Sequence, residues 1–144
     1  MKLETIINIS EHEKQLLQFS LPVINANMDI LASRFYFYLL KTKAGSLFNS
    51  TKIENQHKMF SSSFNVFITH LLSPHLLHDN LDKIINNHIH YGVLTEHVDC
   101  FIESFTRALA DVLKSENNKK TLHLWTKIIS EIMYYFKEPL LYKC

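Results

Sequence analysis

Apolar residues recur at three- and four-residue spacing along almost the whole chain, which is the signature of amphipathic helix. Ser10-Glu11-His12-Glu13 has the form of a capping box, serine and glutamate each satisfying an orphan amide at a helix start. The short helix it opens is expected to end near Pro22. A second helix then runs from about Pro22 to Lys41, with Ile24, Met28, Leu31, Ala32, Phe35 and Leu39 on one face. Phe35-Tyr36-Phe37-Tyr38 has strand-like composition, but it lies inside this helical period without turn signals beside it, so it reads as helix.

Lys43-Ala44-Gly45-Ser46 is a turn. Thr51-Lys52-Ile53-Glu54 is a second capping box, starting a long helix that buries Ile53, Phe60, Phe64, Phe67 and Leu71 and ends before Pro74. A shorter helix follows from about Asn80 to Tyr91, with Gly92 as its terminator. The next runs from about Thr95 to Lys114, with Phe101, Phe105, Leu109 and Val112 inward. After the polar turn Ser115-Glu116-Asn117-Asn118, the last helix spans about Lys119 to Lys137, and Pro139 marks its end. The expectation is an all-α chain forming one domain over residues 1–144, with seven to eight helices of mixed length. Four-helix bundles use fewer, more uniform helices than this.

Composition removes most other classes. The only glycines are Gly45 and Gly92, so no glycine-rich loop can cradle a phosphate. The net charge is +1 with scattered basic residues, which argues against nucleic acid. No apolar run approaches the roughly 18 residues needed to span a bilayer. The opening MKLETIINISEHEK has neither an apolar secretory core nor a cleavage site. With only Cys100 and Cys144, a disulfide framework is not expected, and a cytoplasmic location is the natural expectation.

Histidine, by contrast, occurs nine times, and its imidazole is the commonest side-chain metal ligand. His88 shares a helix face with Leu81, Ile84 and Ile85, whereas His90 falls with Lys83, Asn86 and Asn87 on the solvated side. His88 is thus an inward imidazole, readable either as a core histidine bonded to a carbonyl or as a ligand. His75-x-x-His78 and His88-x-His90 could be zinc fragments, but no cysteine or carboxylate cluster completes a tetrahedral site. Gln56 interrupts the apolar stripe of the long helix between Ile53 and Phe60. A buried amide is costly without partners, so it either faces a polar occupant or sits at the stripe's edge. Tyr36 is the other polar tip on an inward surface, and is otherwise simply a large core residue.

In order along the chain, Phe35-Tyr36, Leu47-Phe48, Gln56, His88-x-x-x-Gly92-Val93, His97 and Trp125 resemble the globins, specifically bacterial haemoglobins of the flavohaemoglobin type and their single-domain relatives. The resemblance spans about Ser10 to Phe136, and the Gln56-to-His88 separation matches without a gap. It implies a globin fold around a haem b (iron protoporphyrin IX) pocket. His88 would be the proximal iron ligand and Phe48 would stack on the haem face. Tyr36 and Gln56 would form the distal pair that stabilises bound dioxygen. Phe60 would line the distal wall, with Val93, Phe101 and Phe105 as apolar contacts on the proximal side and edge.

The chain also departs from that pattern. Flavohaemoglobins continue into a flavin reductase, whereas this sequence stops at Cys144, so electrons would come from an external reductase. A tyrosine and a glutamate that polarise the proximal histidine in the family are replaced by Val98 and, near Tyr142, by no matching carboxylate; Glu138 lies close in register. The connection from Tyr36 to Phe48 is about two residues shorter than the family's usual one. The implied function is reversible binding of dioxygen, with carbon monoxide and nitric oxide as other ligands. Nitric oxide dioxygenase activity and gas sensing are the alternatives, in a monomer or homodimer. A haem-free interaction module fits His88 poorly. His57, beside Gln56, would become a second iron ligand only if its helix shifted.

Overall fold

The computed structural model of the chain describes residues 9–48, 52–70, 83, 86, 93–113 and 119–141, apart from the side chains of 53, 66–70, 135, 136 and 138–141. Helix α1 spans Glu11–Ala26, α2 Met28–Leu39, α3 Ile53–His70, α4 Thr95–Val112 and α5 Lys119–Leu141, with a 3-10 helix over Lys43–Phe48. No strand occurs among the described residues. The all-α expectation holds, and Phe35 to Tyr38 is helical despite its composition. Lys83 and Asn86 are helical and exposed, in keeping with the polar side of the expected short helix. The remainder of that helix with His88 and His90, the terminator Gly92, the cap Thr51, the fragment His75-x-x-His78, Leu71, the stop before Pro74, the turn 115–118 and Tyr142 lie outside the described residues.

The Ser10 capping box forms as expected: the Glu13 amide donates to Ser10 Oγ at 3.1 Å, and the Ser10 amide donates to Glu13 Oε1 at 2.9 Å. The Ser10 amide bond holds the Glu13 carboxyl below the usual carboxylate range. Pro22, however, does not end α1. The helix continues to Ala26 and breaks at Asn27, whose side-chain Nδ2 donates to the Val23 carbonyl at 2.7 Å. Proline withholds one intrahelical donor, whereas asparagine supplies a side-chain bond that competes with the helix. The punctuation therefore moves five residues downstream, and Ile24 stays on α1 with 0% exposure. Likewise α5 runs through Pro139 to Leu141, since proline's φ is helical and the bond it forgoes lies in the last turn.

The segment 43–46 is the start of the 3-10 helix rather than a simple turn. Gly45 is required there: a Cβ would collide with the Leu40 carbonyl oxygen and lie 3.0 Å from its carbon.

Helix α2 packs against α3 and α4, α4 against α5 and the 3-10 helix, and α1 against α5 and α2. Leu17, Ile24, Leu31, Phe35, Phe60, Phe64, Phe105, Leu109, Trp125, Ile128 and Ile132 are buried together where these helices meet. Each such side chain contributes about 1.5–3 kcal/mol by leaving water. The exposed ion pairs Lys14–Glu11, Lys43–Glu96 and Lys137–Asp99, at 3.1, 3.3 and 2.7 Å, contribute about 0–1 kcal/mol each. Apolar burial therefore decides the fold. Asp111 of α4 links to α2: Tyr38 donates to Asp111 Oδ2 at 2.5 Å, and that bond pushes the phenol above its usual range.

Trp125 is the largest fully buried side chain, and its indole N–H donates to Ser20 Oγ at 2.9 Å. Ser20 in turn donates to the Leu17 carbonyl at 2.7 Å, so the serine hydroxyl is both acceptor and donor inside the α1–α5 contact. Replacing Ser20 by alanine removes the indole's acceptor and should cost about 1–3 kcal/mol of stability in urea unfolding; a loss under about 0.5 kcal/mol would show that this bond does not matter to the fold. Gly45→Ala should destabilise by about 1–3 kcal/mol through the clash with Leu40, and an unchanged unfolding midpoint would contradict that close approach.

Candidate functional site

Helix α2 delivers Phe35 and Tyr36 to the interior on adjacent positions, both nearly devoid of exposure. The Phe35 ring stacks on Phe60 of α3 at 4.8 Å and meets Phe101 of α4 edge-on at 5.0 Å. Phe101 stacks on Phe105 at 5.8 Å, Phe105 lies 5.2 Å from Phe64, and Phe64 reaches Trp125 of α5 at 6.2 Å. These centroid separations and edge or offset geometries are those favoured by the ring quadrupole. The result is one continuous aromatic cluster through four helices.

Tyr36 stands at one end of the cluster. Its ring meets Phe35 edge-on at 4.9 Å, Phe48 of the 3-10 helix at 5.6 Å and Phe60 at 6.1 Å. On its remaining side the imidazole of His57 lies nearly parallel, at 5.3 Å and 20°. No hydrogen bond to the Tyr36 hydroxyl is found among the described residues. Burial alone pushes that phenol up to about 12 from 10.0. The group is therefore a neutral donor beside aromatic rings.

Five of the expected pocket residues, Tyr36, Phe48, Phe60, Phe101 and Phe105, are thus brought together. Gln56 is half-buried in the first turn of α3, but the α3 ring that lies parallel to the phenol is that of its neighbour His57. Val93 is half-buried two residues before α4. His88 lies outside the described residues. Phe35, at the centre of the ring contacts, and His57 are the positions that sequence reasoning did not place in the site. Phe35 was visible as an inward residue, whereas His57 was considered only as an iron ligand after a helix shift.

Tyr36, Phe60 and Phe105 are buried, while Phe48, Val93 and Phe101 keep part of their apolar surface uncovered. Flat apolar walls with one inward phenol suit a planar apolar macrocycle that carries a small polar ligand. Ligation of a haem iron asks the protein for as little as one imidazole. The residues present fit such a group.

Two local features orient the far wall. The Leu94 amide donates to His97 Nδ1 at 2.9 Å, so His97 caps the start of α4. Val98, one position on, is buried at 3% exposure and offers no polar group.

A comparison with curated proteins finds no match. The family model described as Globin matches residues 31–136, a span that contains most of α2, the 3-10 helix, α3, α4 and most of α5. Helices without strands among the described residues and this match over most of the chain agree: the chain belongs to the globin family.

Proposed function

We propose that this globin holds haem b through His88 and binds dioxygen reversibly beneath Tyr36, with carbon monoxide and nitric oxide as competing ligands. The observation that carries the reading is Tyr36: a buried residue among aromatic rings whose phenol burial holds neutral, with no hydrogen bond to its hydroxyl found among the described residues. Haem, when bound, supplies the iron at which a diatomic gas is ligated. Tyr36 would donate a hydrogen bond to the partly negative outer atom of that ligand. Gln56, half-buried on the first turn of α3, is the second donor within the same region of the chain. Phe48, Phe60, Phe101, Phe105 and Val93 would enclose the macrocycle and keep water from it.

Reversible binding is favoured over nitric oxide dioxygenase activity by Val98. At the place where the flavohaemoglobins carry a tyrosine that polarises the proximal histidine, this chain has a buried aliphatic group. Without a polar neighbour there, the electron donation that promotes oxygen chemistry is weaker. An external reductase would be needed for sustained turnover of that kind.

Absorption spectra of the purified chain with haem, in ferric, ferrous and carbonyl states, test the reading. A Soret band at one haem per chain is expected, and His88→Ala should abolish stoichiometric binding; retention of full binding would remove His88 as the ligand. Tyr36→Phe should speed dioxygen release several-fold, since one net hydrogen bond is worth about 1 kcal/mol. An unchanged release rate would take Tyr36 out of contact with the gas. The raised phenol also has a stability consequence. The folded state keeps the Tyr36 proton between pH 10 and about 12 while the unfolded chain gives it up. Tyr36 therefore favours the folded state below pH 10, and that contribution is lost as pH climbs toward about 12. Alkaline unfolding of Tyr36→Phe should show a shallower decline over that interval, and identical pH profiles would contradict the burial effect.

A further inference from the structure

We propose that the groove between α1 and α5 binds a single-chain amphiphile with an anionic head, an alkyl carboxylate or alkyl phosphate, at a site separate from the Tyr36 pocket. The groove is open to solvent and measures about 410 Å³, within the range of small-ligand sites. Its floor is apolar: Leu124 of α5 is buried, and Leu16 of α1 is half-buried and packs against the core. Its rim is basic, with Lys119, Lys120, His123 and Lys127 from α5 and His12 from α1, all exposed. On α5, positions 120, 123, 124 and 127 recur at three- and four-residue spacing and so share one face. The Trp125–Ser20 hydrogen bond joins the same two helices, so the groove is formed before any ligand arrives.

Charge along the rim is uneven. Among the described residues lining the groove, Glu13 is the one carboxylate, and it is already engaged. One of its oxygens accepts from the Ser10 amide at 2.9 Å, and the other lies 4.0 Å from Lys127 Nζ. Positive charge is therefore offset at the Lys127 end. Neither Lys119 nor Lys120 has a carboxylate partner among the described residues. An uncompensated cationic end beside an apolar floor suits a ligand with a head and a tail. The head pairs with the Lys119 and Lys120 ammoniums, and the tail lies over Leu16, Leu124 and the lysine stems, whose methylenes are themselves apolar. Between Lys120 and Lys127 the helix rises about 10 Å, a distance that a chain of about eight carbons covers. A polyanion without a tail would leave the floor in water, and a neutral alkane would leave the lysines unused.

The site does not rest on the haem reading. Isothermal titration of the full chain with octanoate, kept below micelle-forming concentrations, tests it, and one octanoate per chain is expected. From hexanoate to octanoate the affinity should rise roughly two- to fourfold per methylene, the upper figure being full burial of a CH₂ group. Octanol, which lacks the charge, should bind more weakly. The double replacement Lys119→Gln with Lys120→Gln touches no core residue and should weaken octanoate about three- to tenfold, as expected for two exposed ion pairs. Leu16→Ser should flatten the dependence on chain length. Octyl phosphate binding more tightly than octanoate would assign the head as a phosphate ester, and the reverse order a carboxylate; both uphold the site. Inorganic triphosphate binding more tightly than octanoate, with no gain from chain length, would overturn the amphiphile. Octanoate binding that ignores both the lysine and the Leu16 changes lies elsewhere and overturns the site, as does an absence of binding at several millimolar.

Discussion

Phe35 meets Phe60, Phe101 and Tyr36 at ring separations of 4.8 to 5.0 Å, and through these contacts α2, α3 and α4 are drawn to a common centre. The driving force is the removal of large flat apolar surfaces from water, to which edge and offset ring geometry adds about 0.5–1.5 kcal/mol for each pair. From this centre the cluster passes through Phe105 and Phe64 to Trp125, which brings in α5. The surface ion pairs are decorations on this arrangement, since exposed pairs contribute little.

Two polar tips enter the aromatic region and meet different fates. The Trp125 indole N–H donates to Ser20, whose own hydroxyl proton goes to the Leu17 carbonyl, so that part of the interior is satisfied from within the chain. The Tyr36 hydroxyl has no such partner among the described residues, and burial holds it neutral. The first is a structural clasp, whereas the second is the group proposed to meet a ligand. A donor kept in a low-dielectric enclosure binds an incoming acceptor more strongly than it would in water. Fold and candidate site therefore draw on one aromatic cluster.

The cost of adjacent features is local and legible. Gly45 permits the chain to double back under Leu40, which places Phe48 edge-on to Tyr36 despite a short connection. His97 closes the exposed start of α4 with its own imidazole, so that helix begins on a side-chain bond from the Leu94 amide. Lys43 and Glu96 join the same two elements at 3.3 Å. The walls of the site are thus held by their flanking turns as well as by their rings.

The amino-acid sequence by itself determined the helices, because a three- and four-residue apolar period is a local property and each helix satisfies its own backbone. Ile24, Leu31, Phe35, Phe60, Phe105 and Leu109 were legible as core residues for that reason, and all are buried. In their order Tyr36, Phe48, Gln56, His88 and Trp125 resemble the globins, a family that residues 31–136 match. Punctuation was less legible: Pro22 looked like a helix end, but a missing donor is tolerable where the helix is anchored by Leu17 and Ile24, and Asn27 provided the actual stop. Only the tertiary structure decided that Ser20 serves Trp125 from far along the chain, and that His57 covers Tyr36. Neighbouring positions on a helix point about 100° apart, and which of them meets a partner depends on where two helices cross. That crossing is set by the long-range packing of rings, which no local period records.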